Sequence, residues 1–272
     1  MQILERIGDG LSSVINKCII NHKQCALKSY KECSRKLRER EIKILNSLKH
    51  ENIISILDFD QDYNWYTTAL MKTDLHQLII THGPLQSITI QQILLQLSNA
   101  ILYMHSIDYV HRDIKLENIM LNSEAKLYII DFGLSVCLHT SKQYPRHCGT
   151  ATYMAPELNL EDKIINSNSL KKTDVFALGV VIFILAYGYP PFTVAIQSKC
   201  RFWNIIAQSK WQQFWNYFDK LIKAPTHPDF KDLIQNMLEP DPNKRFTIEQ
   251  VNKHPFITNQ SNLEELIVKL NI

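Results

Sequence analysis

Apolar and polar positions change period along this chain. In the first thirty residues, apolar and β-branched side chains come in short runs, "ERIGDGLSSVINKCII" and "QCALKSY", around a glycine-containing turn. That pattern predicts strands. Residues 35–49, "RKLREREIKILNSLK", then place Leu37, Ile44, Leu45 and Leu48 at helical spacing. Glu41 falls inside that stripe, four residues from both Leu37 and Leu45. A carboxylate on the buried face of a helix needs a cationic partner.

From about residue 75 the period is helical, led by the stripe Ile90, Ile93, Leu94, Leu97, Ile101 and Leu102. Further helices are predicted at 174–187, roughly 200–222, 229–238 and 247–254. Ser261 with Glu264 forms a capping-box signature for a short last helix. The polar run "NSNSLKK" (166–172) reads as a surface loop. There is no internal repeat and no low-complexity linker. The predicted fold class is α+β and bilobal: a small β-rich lobe with one key helix (1–68), a connection (69–74), and a larger, mainly helical lobe (75–272). A ligand belongs at the junction.

The stretch "YVHRDIKLENIML" breaks this pattern. It begins and ends as strand, yet Arg112, Asp113, Lys115, Glu117 and Asn118 fill five of its seven central positions. Burying such groups without partners costs several kcal/mol each, so they are either solvated or hold something. The following "NIML", "NSEAK" and "LYIIDFG" read as a β-hairpin, which sets Asn118 beside Asp131. An amide oxygen next to a carboxylate suits a hard cation such as Mg2+, and Asp113 would reach the same edge as a base. A hydrogen-bonded turn of two acids and an amide explains the same residues.

Composition narrows the class. Of 272 residues, 45% are apolar and 21% charged, which is enough for a sizeable core and argues against wholesale disorder. The net charge of +3, with no long basic run, does not point to nucleic acid. Six scattered cysteines form no C-x-x-C pair, so free thiols in a reducing compartment are expected. The N-terminal "MQILERIGDG" lacks the apolar run of a signal peptide, and the Asn259–Ser261 glycosylation match reads as chance. "VFALGVVIFILAYGY" (175–189) falls short of the roughly 20 residues that span a bilayer, and a buried core helix is the better reading. The expected protein is a cytoplasmic monomer, with the nucleus as alternative compartment and no membrane or nucleic-acid partner.

"HRDIKLEN", "DFG" and "APE" (155–157) closely resemble the eukaryotic protein kinase family, and the resemblance runs from Gly8 to about Phe256. It implies ATP and Mg2+ as cofactors and a working set of Asp113, Lys115, Lys28 and Glu41. Asp113 would accept the proton of the substrate hydroxyl, Lys115 would stabilise the transferring group, and Asn118 and Asp131 would hold metal. Lys28, in "CALKSY", would pair with the nucleotide phosphates and supply the cation that Glu41 needs. "IGDGLSSVI" offers Gly8 and Gly10, with Ser13 where a third glycine usually sits. A strand pattern follows it, which favours a flap over phosphates rather than a dinucleotide fold. "WYTTALMKTDL" resembles the hinge, with Thr68 as gatekeeper, Ala69 to Met71 offered to adenine and Asp74 near the ribose. Ile7, Ile15, Ala26 and Met120 would be apolar adenine contacts, although each also reads as plain core. Leu45, Ile56, His111, Phe132 and Asp174 fall where the family stacks its spine.

In "RHCGTATYMAPE", Thr150 resembles the residue that touches both Asp113 and Lys115, which implies Ser/Thr specificity; Glu157 is expected to pair with Arg245 of "NKRFT". Arg146 stands where many family members carry an activating phosphothreonine, so no switch is expected there, and Thr140, Ser141 and Tyr144 are the other acceptors. Asp74 and Glu117 resemble acidic positions that favour basic residues upstream of the target. "KLEN" and "CGTATYMAPE" suggest the calcium/calmodulin-dependent-like branch, whereas "LMKTDL" is similar to mitogen-activated kinases. Trp203, Trp211, Phe214 and Trp215 read either as a docking surface or as helix packing. A pseudokinase scaffold and a small-molecule kinase are the competing functions. The complete residue set disfavours the first, and "GTATY" with "APE" disfavours the second.

Overall fold

The computed structural model describes residues 1–10, 12–31, 35–139, 149–159, 165–221 and 227–259. The N-terminal lobe is an antiparallel sheet of β1 (Gln2–Asp9), β2 (Ser13–Ile20), β3 (Lys23–Tyr30), β4 (Ile56–Phe59) and β5 (Trp65–Ala69), with helix α1 (Arg35–Ser47) between β3 and β4. Its strand order is β1-β2-β3-β5-β4. The β2–β3 connection is a two-residue turn in which Asn21 and His22 both take positive φ (47° and 65°), the twist a tight hairpin requires.

Register decides which side chains share a face. Ala26 pairs with Thr68 and Lys28 with Tyr66, so the period of two puts Ala26, Lys28 and Tyr30 on one side together with Tyr66 and Thr68. Cys25 and Leu27 point the other way and form a small apolar cluster with Cys18, against which Ile20 and Trp65 pack. Helix α1 buries Glu41, Ile42, Ile44 and Leu45, with Leu48 just beyond it. Leu37 leaves the predicted stripe and is 49% exposed. Residues 35–37 are all exposed.

The C-terminal lobe begins at β6 (Thr73–Asp74), α2 (Leu75–His82) and α3 (Ser87–Ser106), then β7 (Tyr109–Val110), β8 (Ile119–Leu121), β9 (Leu127–Ile129) and β10 (Val136–Cys137). It continues as α4 (Ser167–Tyr187), α5 (Arg201–Ala207), α6 (Trp211–Leu221), α7 (Pro228–Met237), α8 (Ile248–Asn252) and α9 (Pro255–Thr258). The segment after α1 joins the lobes: Ile54 N–H donates to the Ile129 carbonyl (3.1 Å), and Ile129 N–H donates to that of Asn52 (2.9 Å).

Several boundaries depart from the periodicity. "NSNSLKK" is no loop: the Asn166 side chain accepts from Ser169 N–H, and α4 starts at Ser167. Its polar residues mark a solvated first turn with an Asn cap, a pattern shared with loops. The helix stops at Gly188, which takes the left-handed conformation (φ 74°). The expected helix over 200–222 breaks into α5 and α6 at Ser209 (φ 54°). There Ser209 N–H reaches Ile206 O (2.8 Å) and Lys210 N–H reaches Ile205 O (3.0 Å), a Schellman ending made without glycine. The 247–254 segment holds α8, with α9 starting just beyond it at Pro255, and Ser261 and Glu264 lie outside the described residues. Trp203, Phe214 and Trp215 are buried, so packing accounts for them; Phe183 of α4 meets Phe218 edge-on at 4.8 Å and stacks on Tyr187 at 4.5 Å. No described helix is long and apolar enough to cross a membrane.

Helix α4 packs against α7 through Gly179, where an added Cβ would lie 2.9 Å from Met237 Cβ and 3.1 Å from Leu238 Cδ2. Gly179→Val is expected to cost about 3 kcal/mol by overpacking. The check is urea denaturation, with a lowered midpoint and an unchanged slope; an unchanged midpoint would contradict this packing.

Candidate active site

A cavity of about 310 Å3 lies between the lobes. Ile7, Gly8, Gly10, Ile15, Ala26, Lys28, Thr68, Ala69, Met71, Met120 and Asp131 all line it. Ser13 of the expected phosphate flap and Leu70 of the expected adenine segment line it too, and the walls also include Ile54, Tyr66, Glu117 and Ile130, which the motif reading did not assign to the nucleotide. Asp74 does not line it. Its side chain accepts from Gln77 N–H at 2.8 Å and caps α2, a role that an Asp preceding a helical run also fits.

Lys28 is the junction of three elements. Its Nζ donates to Glu41 Oε1 at 2.6 Å and to Asp131 Oδ1 at 2.8 Å. Burial pushes the Lys28 ammonium down, but Glu41 and Asp131 more than offset this and hold its pKa above the ordinary value. The Asp131 side chain remains 44% exposed to the cleft and takes a left-handed backbone (φ 61°) that aspartate tolerates. Glu41 also accepts from Tyr30 (2.8 Å) and Tyr66 (3.0 Å) hydroxyls. Its neighbour Arg40 donates to the Gly133 carbonyl at 2.6 Å, which ties α1 to the segment after Asp131. The sequence reading missed both tyrosines and Arg40; their signal was spacing, since Tyr30 lies two residues beyond Lys28 and Arg40 next to Glu41.

The loop carrying Asp113 is held from below by Asp174 of α4. The wholly buried carboxylate accepts from His111 N–H (2.9 Å), Arg112 N–H (2.8 Å) and His105 Nε2 (3.0 Å). Those bonds sustain a left-handed Arg112 (φ 71°), a conformation that bulky residues avoid. Gly149, itself at φ 101°, passes so close that an added Cβ would lie 3.0 Å from the Arg112 carbonyl. The His111 ring meets Phe132 edge-on at 4.9 Å, and Leu45 is buried while Ile56 packs beside the same core.

Above this support, Lys115 Nζ bridges Asp113 Oδ2 (2.8 Å) and Thr150 Oγ1 (3.2 Å). Asn118 Nδ2 donates to the Asp113 carbonyl (2.8 Å) and to its Oδ2 (3.0 Å). With the nitrogen so committed, the amide oxygen is the atom left for a hard cation. In the hairpin the Asn118 carbonyl accepts from Ile130 N–H, so Asn118 sits across from Ile130, one residue short of Asp131. Among the described residues no three His, Cys, Asp or Glu side chains cluster to hold a metal. An amide oxygen and one carboxylate therefore fit a cation that takes its other ligands from water and phosphate, as Mg2+ does. Glu157 and Arg245 form a buried bidentate pair at 2.7 and 2.9 Å. Arg146, Thr140, Ser141 and Tyr144 lie outside the described residues.

With that geometry in place, comparison with known proteins identifies the class. The protein kinase domain model matches residues 1–257, and the chain belongs to that family. It is 34% identical over 224 residues to the probable serine/threonine-protein kinase fhkC of Dictyostelium discoideum, covering 80% of this chain and 36% of that protein. Serine/threonine-protein kinase DCLK3 of Mus musculus is 30% identical over 266 residues (92% and 32%). Calcium/calmodulin-dependent protein kinase type II of Caenorhabditis briggsae is 29% identical over 283 residues (97% and 50%). The chain thus spans about a third to a half of the length of these relatives.

Burial pushes the Asp174 carboxyl up, but His105, His111 and the Arg112 N–H together hold it below its ordinary 3.8. A depressed folded-state value contributes stability that is complete above the unfolded value and is lost as pH falls through the folded one. Asp174→Asn is expected to cost about 1–3 kcal/mol at neutral pH. The gap to wild type, read by urea denaturation, narrows below about pH 4; a gap unchanged to lower pH would contradict the assignment.

Proposed function

We propose that this chain transfers the γ-phosphate of Mg-ATP to serine or threonine hydroxyls of protein substrates. The observation that carries the reading is the closed set of contacts across the cleft: Lys28 bridges Glu41 and Asp131 while Asp113, Lys115, Asn118 and Thr150 form one network. The adenine ring would lie among Ile7, Ile15, Ala26 and Met120, with backbone groups of Ala69 to Met71 beside it. Lys28, kept cationic by its two carboxylates, has donor capacity left for a phosphate oxygen. Asn118 and Asp131 would hold Mg2+, which supplies charge neutralisation on the phosphates. Asp113 orients the acceptor hydroxyl and takes its proton, and Lys115 holds Asp113 in place while facing the transferring group. Catalysis is then mainly positioning and fixed charge.

Thr150, bonded to Lys115, supports a serine/threonine acceptor. Glu117 is exposed at the cleft wall and supports a preference for basic residues upstream of it, whereas Asp74 is committed to its cap. A monomer working in the cytoplasm is part of the same proposal.

Transfer of radiolabelled phosphate to basic and acidic protein substrates tests the reading. Asp113→Ala is expected to lower kcat about 100-fold or more, with nucleotide affinity within a few-fold of wild type. Asp131→Asn should abolish magnesium-dependent transfer. A wild-type chain that binds nucleotide and transfers nothing would be a scaffold instead.

A further inference from the structure

The Lys28–Glu41 pair sits in a cage that the proposed phosphate transfer does not by itself require. A carboxylate offers about four acceptor sites on its two oxygens. Here Oε1 takes the Lys28 ammonium and the Tyr66 hydroxyl, and Oε2 takes the Tyr30 hydroxyl. Lys28 Nζ lies 5.7 Å from the centroid of each tyrosine ring, within cation–π range. The register makes this possible: Tyr66 is the direct cross-strand partner of Lys28, and Tyr30 stands two residues on, so all three emerge on the face that meets α1.

Glu41 is only 3% exposed. With Lys28 as sole donor, most of its acceptor capacity would be buried unmet, and α1 would gain by swinging the carboxylate out to water. The phenols remove that incentive. Burial and the neighbouring Glu41 charge push the hydroxyls of both tyrosines far above their ordinary pKa, so they stay protonated donors at any working pH.

We propose that Tyr30 and Tyr66 are positioning residues that latch α1 to the sheet through the Glu41 carboxylate and keep Lys28 and Glu41 together before nucleotide binds. This rests on the kinase reading for its effect on turnover, but the latch itself is measurable without it. Tyr30→Phe, Tyr66→Phe and the double variant keep both rings and remove only the donors. Hydrogen–deuterium exchange of the α1 amides is expected to quicken about tenfold or more in the double variant, the scale of hydrogen bonds to a charged group. Exchange in α3 and α4 should not change. kcat should fall by a similar factor, with KM for the protein substrate unchanged. In a Glu41→Gln background the same tyrosine changes should have about twofold effect or less, because the charge they serve is gone.

Wild-type exchange and turnover in the double variant would overturn the proposal. So would faster exchange spread over α3 and α4, or an undiminished effect in the Glu41→Gln background. A wild-type chain that transfers no phosphate, but whose α1 loosens only in the Phe variants, would sink the kinase reading and leave the latch standing.

Discussion

A carboxylate buried under a five-stranded sheet sets the terms for this molecule. Glu41 cannot stay where α1 puts it unless cations and donors come to it, and the groups that come are Lys28 from β3, Tyr30 from the end of that strand and Tyr66 from β5. Lys28 in turn binds Asp131 of the other lobe. One compensation requirement therefore joins a helix, a sheet and the far wall of the cleft, and the cleft takes its shape from it.

The same device recurs lower down. Asp174, wholly buried, meets its needs with two backbone N–H groups and a histidine, and so imposes an unfavourable backbone on Arg112 and a fixed position on Asp113. Glu157 is held by Arg245 from a distant part of the chain. Each of these carboxylates is costly alone and stabilising only in company, which makes them effective at fixing loops that lack regular secondary structure. The apolar core does the complementary work: aromatic side chains of α4 and α6 pack face and edge, and hold α4 as the rigid base from which Asp174 acts.

Where periodicity was strong, it was sufficient. The stripe of α3 from Ile90 to Ile101 is buried as spaced. It failed where a polar residue serves as a cap or a left-handed corner. Asn166 and Asp74 looked like loop and ligand residues because the side chains that cap helices are the ones that make turns and bind substrates. Ser209 ends α5 without the glycine that would have announced a break. Leu37 keeps helical spacing yet lies in an exposed first turn, because spacing alone does not say how far along a helix the packed face extends.

The candidate site was legible to an unusual degree, since polar residues inside apolar runs carry a cost that must be met somewhere. Local sequence determined the strand and helix types, the buried position of Glu41 and its need for a cation, and the chemical types gathered in "HRDIKLEN" and "DFG". The family resemblance named Lys28 as that cation, but nothing in the sequence said which further donors would meet on Glu41. Lys28, Tyr30, Tyr66 and Glu41 converge only through cross-strand register and helix docking, and register is a property of paired strands, decided when the lobe folds. Tertiary structure alone brought Arg40 to Gly133 and placed Asp174 beneath Arg112, because each depends on distances between segments far apart in the chain.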